Sequence, residues 1–226
     1  MSRKINPISF RLGLSQVWNG PFQLYSKNFC FYSNLFHSKV FLENYIRRLL
    51  AGQGFLLDSI HWYSKKKSTI LLIMYKDLLN FPLLKAESLK DLIRLLWNLN
   101  LKVYLIKKSN WTNSAVLLNN YIVNGLEKKF NFKKSLKDII ILIKSQLGTK
   151  KIVYTNKGPA SLTLTGFKFT ISGRLDNARN QMSKKSSQVE GSLPLSQLYS
   201  YIEYHSSVIH TKSGANNLQI WLFYIL

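Results

Sequence analysis

The C-terminal stretch from residue 166 to residue 224 decides the fold: GFKFTISGRLDNARNQMSKKSSQVEGSLPLSQLYSYIEYHSSVIHTKSGANNLQIWLFY. Within it, Phe167, Phe169 and Ile171 alternate with polar residues, which is typical of a strand that buries one face. A second alternating run covers 198–205, and the apolar run 218–224 predicts a buried strand. The loop after the first run is polar and carries four cations: Arg174, Arg179, Lys184 and Lys185. The stretch therefore predicts a β-sheet with a cationic rim.

The residues before this stretch predict a break in the sheet and a domain boundary. The phase of the apolar residues changes at Gly166, which predicts a bulge or a turn. Residues 149–161 contain three lysines that have no acid opposite them: Lys150, Lys151 and Lys157. They also contain a Gly-Pro pair, which breaks a helix. We predict a linker or insertion over 149–161 and a C-terminal domain over 162–226.

A long helical region is predicted from Asn113 to Gly148, because apolar residues recur there with helical spacing. Lys133, Lys134 and Lys137 have the i, i+1, i+4 spacing that places side chains on one helical face. A solvated basic face and an RNA-binding face share this pattern. The spacing alone leaves both interpretations open.

Residues 37–148 are predicted to form one domain that ends with this helical region. Its first part should contain a helix over 38–52, strands over 55–63 and 68–75, a helix over 88–98 and a strand over 101–106. Residues 1–36 predict an irregular basic arm, which contains Arg3, Lys4 and Arg11 and has no acid before Glu43. We expect such an arm to lie on phosphates.

The charge balance of the whole chain predicts a polyanionic partner. The sequence has 32 Lys and Arg against 10 Asp and Glu, a formal net charge of +22. A domain of this charge repels itself unless a polyanion neutralises it. The cations are spread over every segment instead of clustering beside an amphipathic helix, which favours nucleic acid over a membrane surface. No apolar run reaches the roughly 20 residues that span a bilayer.

The sequence contains no pattern that indicates catalysis. Cys30 is the only cysteine, which excludes an internal disulfide and a cysteine-based metal site. The four histidines lack metal-ligand spacing, and the carboxylates form no cluster suited to a metal-dependent nuclease. The phosphate-binding pattern GxxxxGK[ST] is absent. We predict that the protein is not an enzyme and uses no cofactor, no metal and no small-molecule substrate.

Five motifs of the C-terminal stretch resemble the C-terminal domain of small-subunit ribosomal protein three. In order they are SGRL (172–175), EGSLPL (190–195), IEY (202–204), HTKSG (210–214) and IWLF (220–223). The opening KINPISFRLGL (4–14) is similar to the N-terminal segment of the same family. The two ends together cover about a third of the chain.

The resemblance implies an α+β protein with an N-terminal type II KH-like domain and a basic arm, followed by a C-terminal α+β domain. The predicted order of helix, strand, strand, helix and strand agrees with a type II KH fold. A KH domain binds single-stranded RNA through a GxxG loop, because backbone without Cβ approaches phosphates closely. The corresponding residues here are Leu83-Leu84-Lys85-Ala86. We therefore expect the KH-like domain to act as a scaffold and not as a conventional RNA clamp.

The resemblance also implies a structural role in the head of the small ribosomal subunit, with rRNA, mRNA and neighbouring head proteins as partners. Residues implied in rRNA binding are Arg3, Lys4, Arg11, Arg174, Arg179, Lys184 and Lys185. The family carries a basic FRRxxKR run that contacts mRNA where it enters the subunit, and Lys133, Lys134 and Lys137 match it with Lys in place of Arg. That exchange keeps the charge but loses bidentate phosphate contacts. A free-standing single-stranded RNA regulator with a KH-like domain is the alternative.

The composition indicates where such a protein acts. The chain is rich in Phe, Tyr, Ile, Leu, Asn and Lys and poor in Ala and Gly, which indicates an AT-rich genome. The N-terminus shows no signal-peptide pattern, so we expect the protein to act where it is made. A mitochondrial ribosome is the favoured setting, and a bacterial cytoplasm or a plastid is the less favoured one.

Overall fold

The chain forms two structural units, and the residues of one lie within the sequence of the other. The computed structural model describes residues 5–18, 29–65, 68–77, 101–127, 132–156, 158–174, 182–211 and 214–225. One unit comprises Met1–Trp18 and Asn110–Leu226, and the other comprises Asn19–Ser109. Both contain helices and strands, which confirms the predicted α+β class.

The unit Asn19–Ser109 consists of a helix and a three-stranded sheet among its described residues. Its elements are helix α2 (Phe29–Gly52) and strands β1 (Phe55–Lys65), β2 (Ser68–Asp77) and β3 (Leu101–Lys107). β1 pairs antiparallel with β2, and β2 pairs parallel with β3. The predicted helix over 38–52 and all three predicted strands are confirmed, although the helix begins earlier, at Phe29. The predicted helix over 88–98 and the loop 83–86 lie outside the described residues.

The helix α2 packs on this sheet through residues that recur every four positions. Leu42, Ile46 and Leu50 are buried against a sheet core that includes Leu71 and Ile73. This spacing places one stripe of the helix against the sheet. The indole Nε1 of Trp62 donates a hydrogen bond of 2.8 Å to Glu43, which fixes the helix to β1.

The unit formed by Met1–Trp18 and Asn110–Leu226 contains the stretch 166–224. Its helices are α1 (Pro7–Arg11), α3 (Ala115–Glu127) and α4 (Phe132–Lys144), with a 3-10 turn at Trp111–Asn113. Its strands are β4 (Lys150–Thr155), β5 (Gly158–Gly173), β6 (Lys184–Gly191), β7 (Tyr201–Thr211) and β8 (Gly214–Ile225). The predicted helical region 113–148 is confirmed as two helices. The strand predicted from the alternating run 198–205 begins at Tyr201, three residues later than expected.

The five strands form one antiparallel sheet in the order β4-β5-β8-β7. The strand β6 also pairs with β5, over Gly166–Gly173, whereas β4 pairs with Gly158–Thr163. β8 pairs with β5 along its opposite edge, so β4 and β6 follow each other along one edge of β5. Lys184 and Lys185, which were predicted to lie in a loop, are thus the first residues of β6.

The predicted bulge at Gly166 is confirmed. The register of β5 against β8 shifts between Leu164 and Gly166. A Cβ on Gly166 would lie 2.5 Å from the backbone oxygen of Ser192, so only glycine fits this crossing. The shift keeps Leu164 and Phe167 on the same buried side of the sheet although they are three residues apart.

The structure divides the chain at a different place from the prediction. The apolar residues of α3 and α4 pack on the sheet β4–β8, with Leu118, Ile139 and Ile143 in one core with Phe167 and Ile220. The helical region therefore belongs with the C-terminal strands and not with the unit Asn19–Ser109. The predicted linker over 149–161 is a hairpin of β4 and β5 within that sheet. Periodicity identified the helices but contains no information about which sheet their apolar stripes cover.

Candidate nucleic-acid interface

Every acidic side chain that the structure describes forms an ion pair with a lysine. The five ion pairs are Lys39–Glu43, Lys107–Asp77, Lys108–Asp58, Lys144–Glu190 and Lys151–Glu203. The sequence has 10 acids in all, and the side chains of the other five lie outside the described set. Lys137, Lys150 and Lys184 are exposed and have no described carboxylate within ion-pair distance. None of the five described carboxylates is therefore left to neutralise these three lysines.

Arg11, which was predicted to bind rRNA, is a buried structural residue. Its side chain is only 1% exposed, and burial lowers its pKa from the ordinary value. Its guanidinium donates at 2.8 to 3.3 Å to the backbone oxygens of Pro7, Pro194, Leu195 and Gln197 and to the hydroxyl of Ser200. A phosphate cannot reach a guanidinium enclosed in this way, so Arg11 is removed from the set of rRNA-binding residues. We refer to Arg11 and these acceptors as the Arg11 site.

The residues that follow Arg11 are also attached to the C-terminal strands. The hydroxyl of Ser15 donates to the backbone oxygen of Ser200 at 3.2 Å, and the amide of Gln16 donates to the backbone oxygen of Ile202. The amide of Asn156 donates to the backbone oxygen of Gly13. Residues 5–18 are therefore anchored along their length and do not form a free arm. Arg3 and Lys4 lie outside the described residues.

Three of the other predicted rRNA-binding residues meet at one end of the sheet. Lys184 and Lys185 begin β6, are exposed, and lie opposite Gly173 and Ser172 of β5. Arg174 follows β5 directly and is half-buried. The pairing of β5 with β6 thus brings Arg174, Lys184 and Lys185 together, and we call this group the basic end of the sheet. Arg179, in the loop between the two strands, lies outside the described residues.

Gly173 gives the basic end its shape. Its φ of +149° lies in a region that side chains disfavour, and a Cβ there would lie 2.0 Å from Oδ1 of Asn216 on β8. The glycine of the SGRL motif therefore lets β8 approach the end of β5. Arg174 follows directly after this point of close approach.

The predicted mRNA-contacting lysines lie on helix α4. Ile139, Ile140 and Ile143 bury one side of this helix, and Lys137 is exposed. Lys133 and Lys134 precede Lys137 by four and three residues on the same helix, which is the spacing of neighbours on one face. The side chains of Lys133 and Lys134 lie outside the described set, so their contact with RNA stays a prediction.

The surroundings of Lys151 differ from what the sequence predicted. It was expected to have no acid opposite it, but it pairs with Glu203 and its Nζ donates to the backbone oxygen of Asn113 at 2.6 Å. The hydroxyl of Tyr224 donates to the same oxygen at 2.9 Å. Lys151 thus joins β4 to β7 and to the 3-10 turn that precedes α3. Its neighbour Lys150 is exposed on the other side of β4, and Lys157 lies outside the described residues.

One cluster was missed by the sequence analysis. On the side of the sheet away from α3 and α4, Lys168, Trp221 and Tyr204 lie side by side on β5, β8 and β7. The Nζ of Lys168 is 5.2 Å from the centroid of the Trp221 ring, and the centroids of Trp221 and Tyr204 are 5.2 Å apart. The three residues are spread over 54 positions of sequence, and only the strand order makes them neighbours.

The described residues show no metal centre. They contain no group of three or more His, Cys, Asp or Glu side chains that could hold a metal ion. Of the helices that the structure describes, none has the length and apolar character needed to cross a bilayer.

The chain is similar to ribosomal proteins over nearly its whole length. It is 35% identical over 227 residues to "Small ribosomal subunit protein uS3m" of Chondrus crispus, which covers 99% of this chain and 94% of that protein. It is 25% identical over 226 residues to uS3 of Fusobacterium nucleatum, with 99% and 94% covered. It is 27% identical over 241 residues to uS3c of Phaseolus angularis, with 99% of each covered. No family model matches the chain.

The similarity to the Chondrus crispus protein extends through both structural units, since the alignment covers all but about 1% of this chain. It includes the anchored N-terminal segment, the helices and the strands of both sheets. The resemblance that rested on motifs at the two ends of the sequence is therefore confirmed for the whole chain, which belongs to the uS3 family of small ribosomal subunit proteins.

Proposed function

We propose that this protein is a structural constituent of the small subunit of a mitochondrial ribosome. The similarity to a uS3m protein and the composition of the chain support the mitochondrial setting. In this proposal the protein binds rRNA through the basic end of the sheet, and Arg3, Lys4 and Arg179 contribute from outside the described residues. It also contacts neighbouring proteins of the subunit head.

The observation that carries the proposal is the pairing of the acids. Five lysines satisfy the five described carboxylates, and the exposed Lys137, Lys150 and Lys184 are left over. Exposed cations raise the local concentration of a polyanion and bind its phosphates with the release of counterions. An excess of this size, +22 over the chain, suits a protein that is permanently surrounded by RNA.

The lysines of α4 are proposed to line the channel through which mRNA enters the subunit. Support comes from the exposure of Lys137 and from the buried face opposite it, which leaves the basic face available. Lysine contacts a phosphate as a point charge, so the contact should be insensitive to mRNA sequence.

The KH-like character of the unit Asn19–Ser109 stays part of the proposal. A helix packed on a mixed three-stranded sheet supports it. The exposed Arg47 and Arg48 on α2 supply cations for a second contact with RNA from this unit. A conventional RNA clamp at Leu83–Ala86 is not proposed.

Sedimentation of tagged protein through a high-salt gradient tests the role in the subunit. We expect the protein to stay with the small subunit, whereas the alternative, a free-standing RNA regulator, would remain at the top of the gradient.

The basic end is tested by the double variant Lys184→Ala/Lys185→Ala in binding to rRNA. Its log–log salt slope should fall by up to about 2 units, since each phosphate contact contributes about 0.9.

The matched control is Lys102→Ala, which removes an exposed lysine from β3 in the other unit. It should change the slope for the same rRNA fragment by less than the double variant does. Equal slopes for the wild type and the double variant would show that the basic end does not contact rRNA.

A further inference from the structure

The sheet β4–β8 has a second face, which α3 and α4 do not cover. Phe167, Phe169 and Ile171 of β5 point toward the helices, so Lys168 and Thr170 point to the opposite side. We call this side the outer face. Residues 5–18 are hydrogen-bonded to the start of β7 near one end of it.

Three rows of side chains cross the outer face from β5 through β8 to β7. The first row is Lys168, Trp221 and Tyr204; the second is Thr170, Gln219 and Ser206; the third is Ser172, Asn217 and Val208. Lys185 of β6 lies opposite Ser172 and extends the third row. Along the strands the face therefore changes from aromatic, through hydroxyl and amide groups, to basic.

The first row has the properties of a stacking surface. The ring planes of Trp221 and Tyr204 are inclined by 42°, and Lys168 holds its ammonium group over the Trp221 ring. All three side chains are half-buried, so part of the Trp221 ring and part of the Tyr204 ring remain open to solvent. A cation over an indole is attracted by the negative ring face. The arrangement holds the rings in place and adds positive charge beside them.

The two acids of this unit whose side chains the structure describes lie on the other face. Glu190 is opposite Phe167 and Glu203 is opposite Leu222, and both of these apolar residues face the helices. Each acid is paired with a lysine, Lys144 or Lys151. Among the described residues the outer face carries Lys150, Lys168 and Lys185 and no carboxylate.

We propose that the outer face binds a short unpaired stretch of rRNA, with a base stacked beside Trp221 and Tyr204 and a phosphate at Lys185. This inference rests on the proposed rRNA binding and adds a base-contacting site to it. Single-stranded RNA is commonly bound by stacking bases on aromatic residues of a sheet and by placing cations along the backbone. The distance along β5 from Lys168 to Ser172 is about 13 Å, at about 3.3 Å per residue.

The chemistry of the outer face favours RNA over a protein partner. A protein-docking face is depleted in charged residues at its centre. Here Lys168 lies in the aromatic row itself, and no described carboxylate offsets it. In the middle row, the exposed hydroxyl of Ser206 and the half-buried amide of Gln219 can bond to base edges. Thr170 is buried, and its hydroxyl donates to Oε1 of Gln219 at 3.2 Å. The amide nitrogen of Gln219 remains as a donor.

The test compares two probes with the full-length protein: a short unstructured oligoadenylate, and an abasic ribose-phosphate oligomer of the same length. We expect the wild type to bind the oligoadenylate about tenfold more tightly, which is the typical effect of stacking one base. Trp221→Leu should weaken binding of the oligoadenylate about tenfold and leave binding of the abasic oligomer unchanged. Trp221→Phe should retain most of the preference for the oligoadenylate. Lys185→Ala should weaken binding of both probes.

The inference is wrong if the wild type binds both probes equally, or if Trp221→Leu affects both or neither. If Trp221→Leu fails to fold, Tyr204→Leu replaces it with the same expectation. In reconstituted subunits, Trp221→Leu should raise the dimethyl sulfate reactivity of unpaired rRNA bases. Loss of a neighbouring protein without such a change would assign the outer face to a protein partner and overturn the inference. Sedimentation of the wild type with the subunit tests the proposed function separately.

Discussion

The Arg11 site and the basic end of the sheet use the same kind of residue in opposite ways. Arg11 is enclosed by backbone oxygens and holds the N-terminal segment to the C-terminal strands. Lys184 and Lys185 are exposed at the edge of the sheet, in a unit whose two described acids are paired with other lysines. A count of cations therefore overestimates the RNA-binding charge of this protein. The environment of each cation decides whether it acts within the fold or outside it.

The largest expected effect is the loss of the Arg11 site. Arg11→Met should destabilise its unit by about 3 to 5 kcal/mol, because several buried acceptors lose their donor at once. Urea unfolding followed by circular dichroism measures this. Residues 5–18 should also become sensitive to protease at low urea. Arg11→Lys should recover only part of the stability, since an ammonium group has three donors where a guanidinium has five.

The matched control for Arg11 is Lys184→Ala, which removes an exposed cation of the same unit. We expect this change to lie within about 0.5 kcal/mol of the wild type. If Arg11→Met were as stable as Lys184→Ala, the distinction between an internal and an external cation would have no energetic basis.

A smaller effect is expected when the shape of the basic end is altered without changing its charge. Gly173→Ala introduces a Cβ that meets Asn216 on β8, so it should cost about 1 to 3 kcal/mol and weaken rRNA binding. Gly158→Ala is the control, because Gly158 also has a positive φ, +113°, but nothing lies within 4 Å of its Cβ position. Equal losses in the two variants would mean that backbone strain, and not contact with Asn216, sets the cost.

The third effect concerns RNA binding alone. Replacement of Lys133, Lys134 and Lys137 by Ala should flatten the log–log salt slope of mRNA binding to assembled subunits by up to about 2 units, at about 0.7 per phosphate on a single strand. The protein should still enter the subunit, since substitutions on an exposed face have little effect on stability. Translation through stable hairpins should slow more than translation of unstructured message. If the variant protein failed to assemble, these lysines would be assigned to rRNA.

The sequence predicted what depends on local periodicity. The alternation of Phe167, Phe169 and Ile171 identified β5, and the phase change at Gly166 identified the bulge. The strands of the unit Asn19–Ser109 were predicted on the same basis. In each case one face of the element is buried, so the apolar period is directly visible in the sequence.

The sequence could not predict which elements meet. The apolar stripes of α3 and α4 have the same period whichever sheet they cover, so the domain boundary was misplaced. The acceptors of Arg11 on the C-terminal loop lie more than 180 residues away from it. They are backbone oxygens and an ordinary serine, which have no signature in the sequence. Lys168, Trp221 and Tyr204 likewise become neighbours only through the order of the strands.

The last prediction compares Arg11 with a second cation whose pKa is lowered by burial, Lys76. Burial lowers the pKa of Lys76 on β2 from 10.5 to about 8, while Asp77 opposes the shift. Below pH 8 the ammonium is charged in both the folded and the unfolded chain. Between pH 8 and 10.5 only the unfolded chain holds the proton, so the free energy of unfolding should rise with pH across this window. Lys76→Met should remove the rise and increase stability near neutral pH.

Urea unfolding at a series of pH values measures this rise, with the exposed Lys102→Met as the control. The series should stay below pH 10.0, because burial raises the pKa of the Tyr75 phenol above that value. Above it the unfolded phenol ionises while the folded one stays neutral, and stability falls with pH. Arg11 contributes no such dependence, because a guanidinium stays protonated throughout the range. A pH dependence that persists in Lys76→Met would show that another group releases the proton.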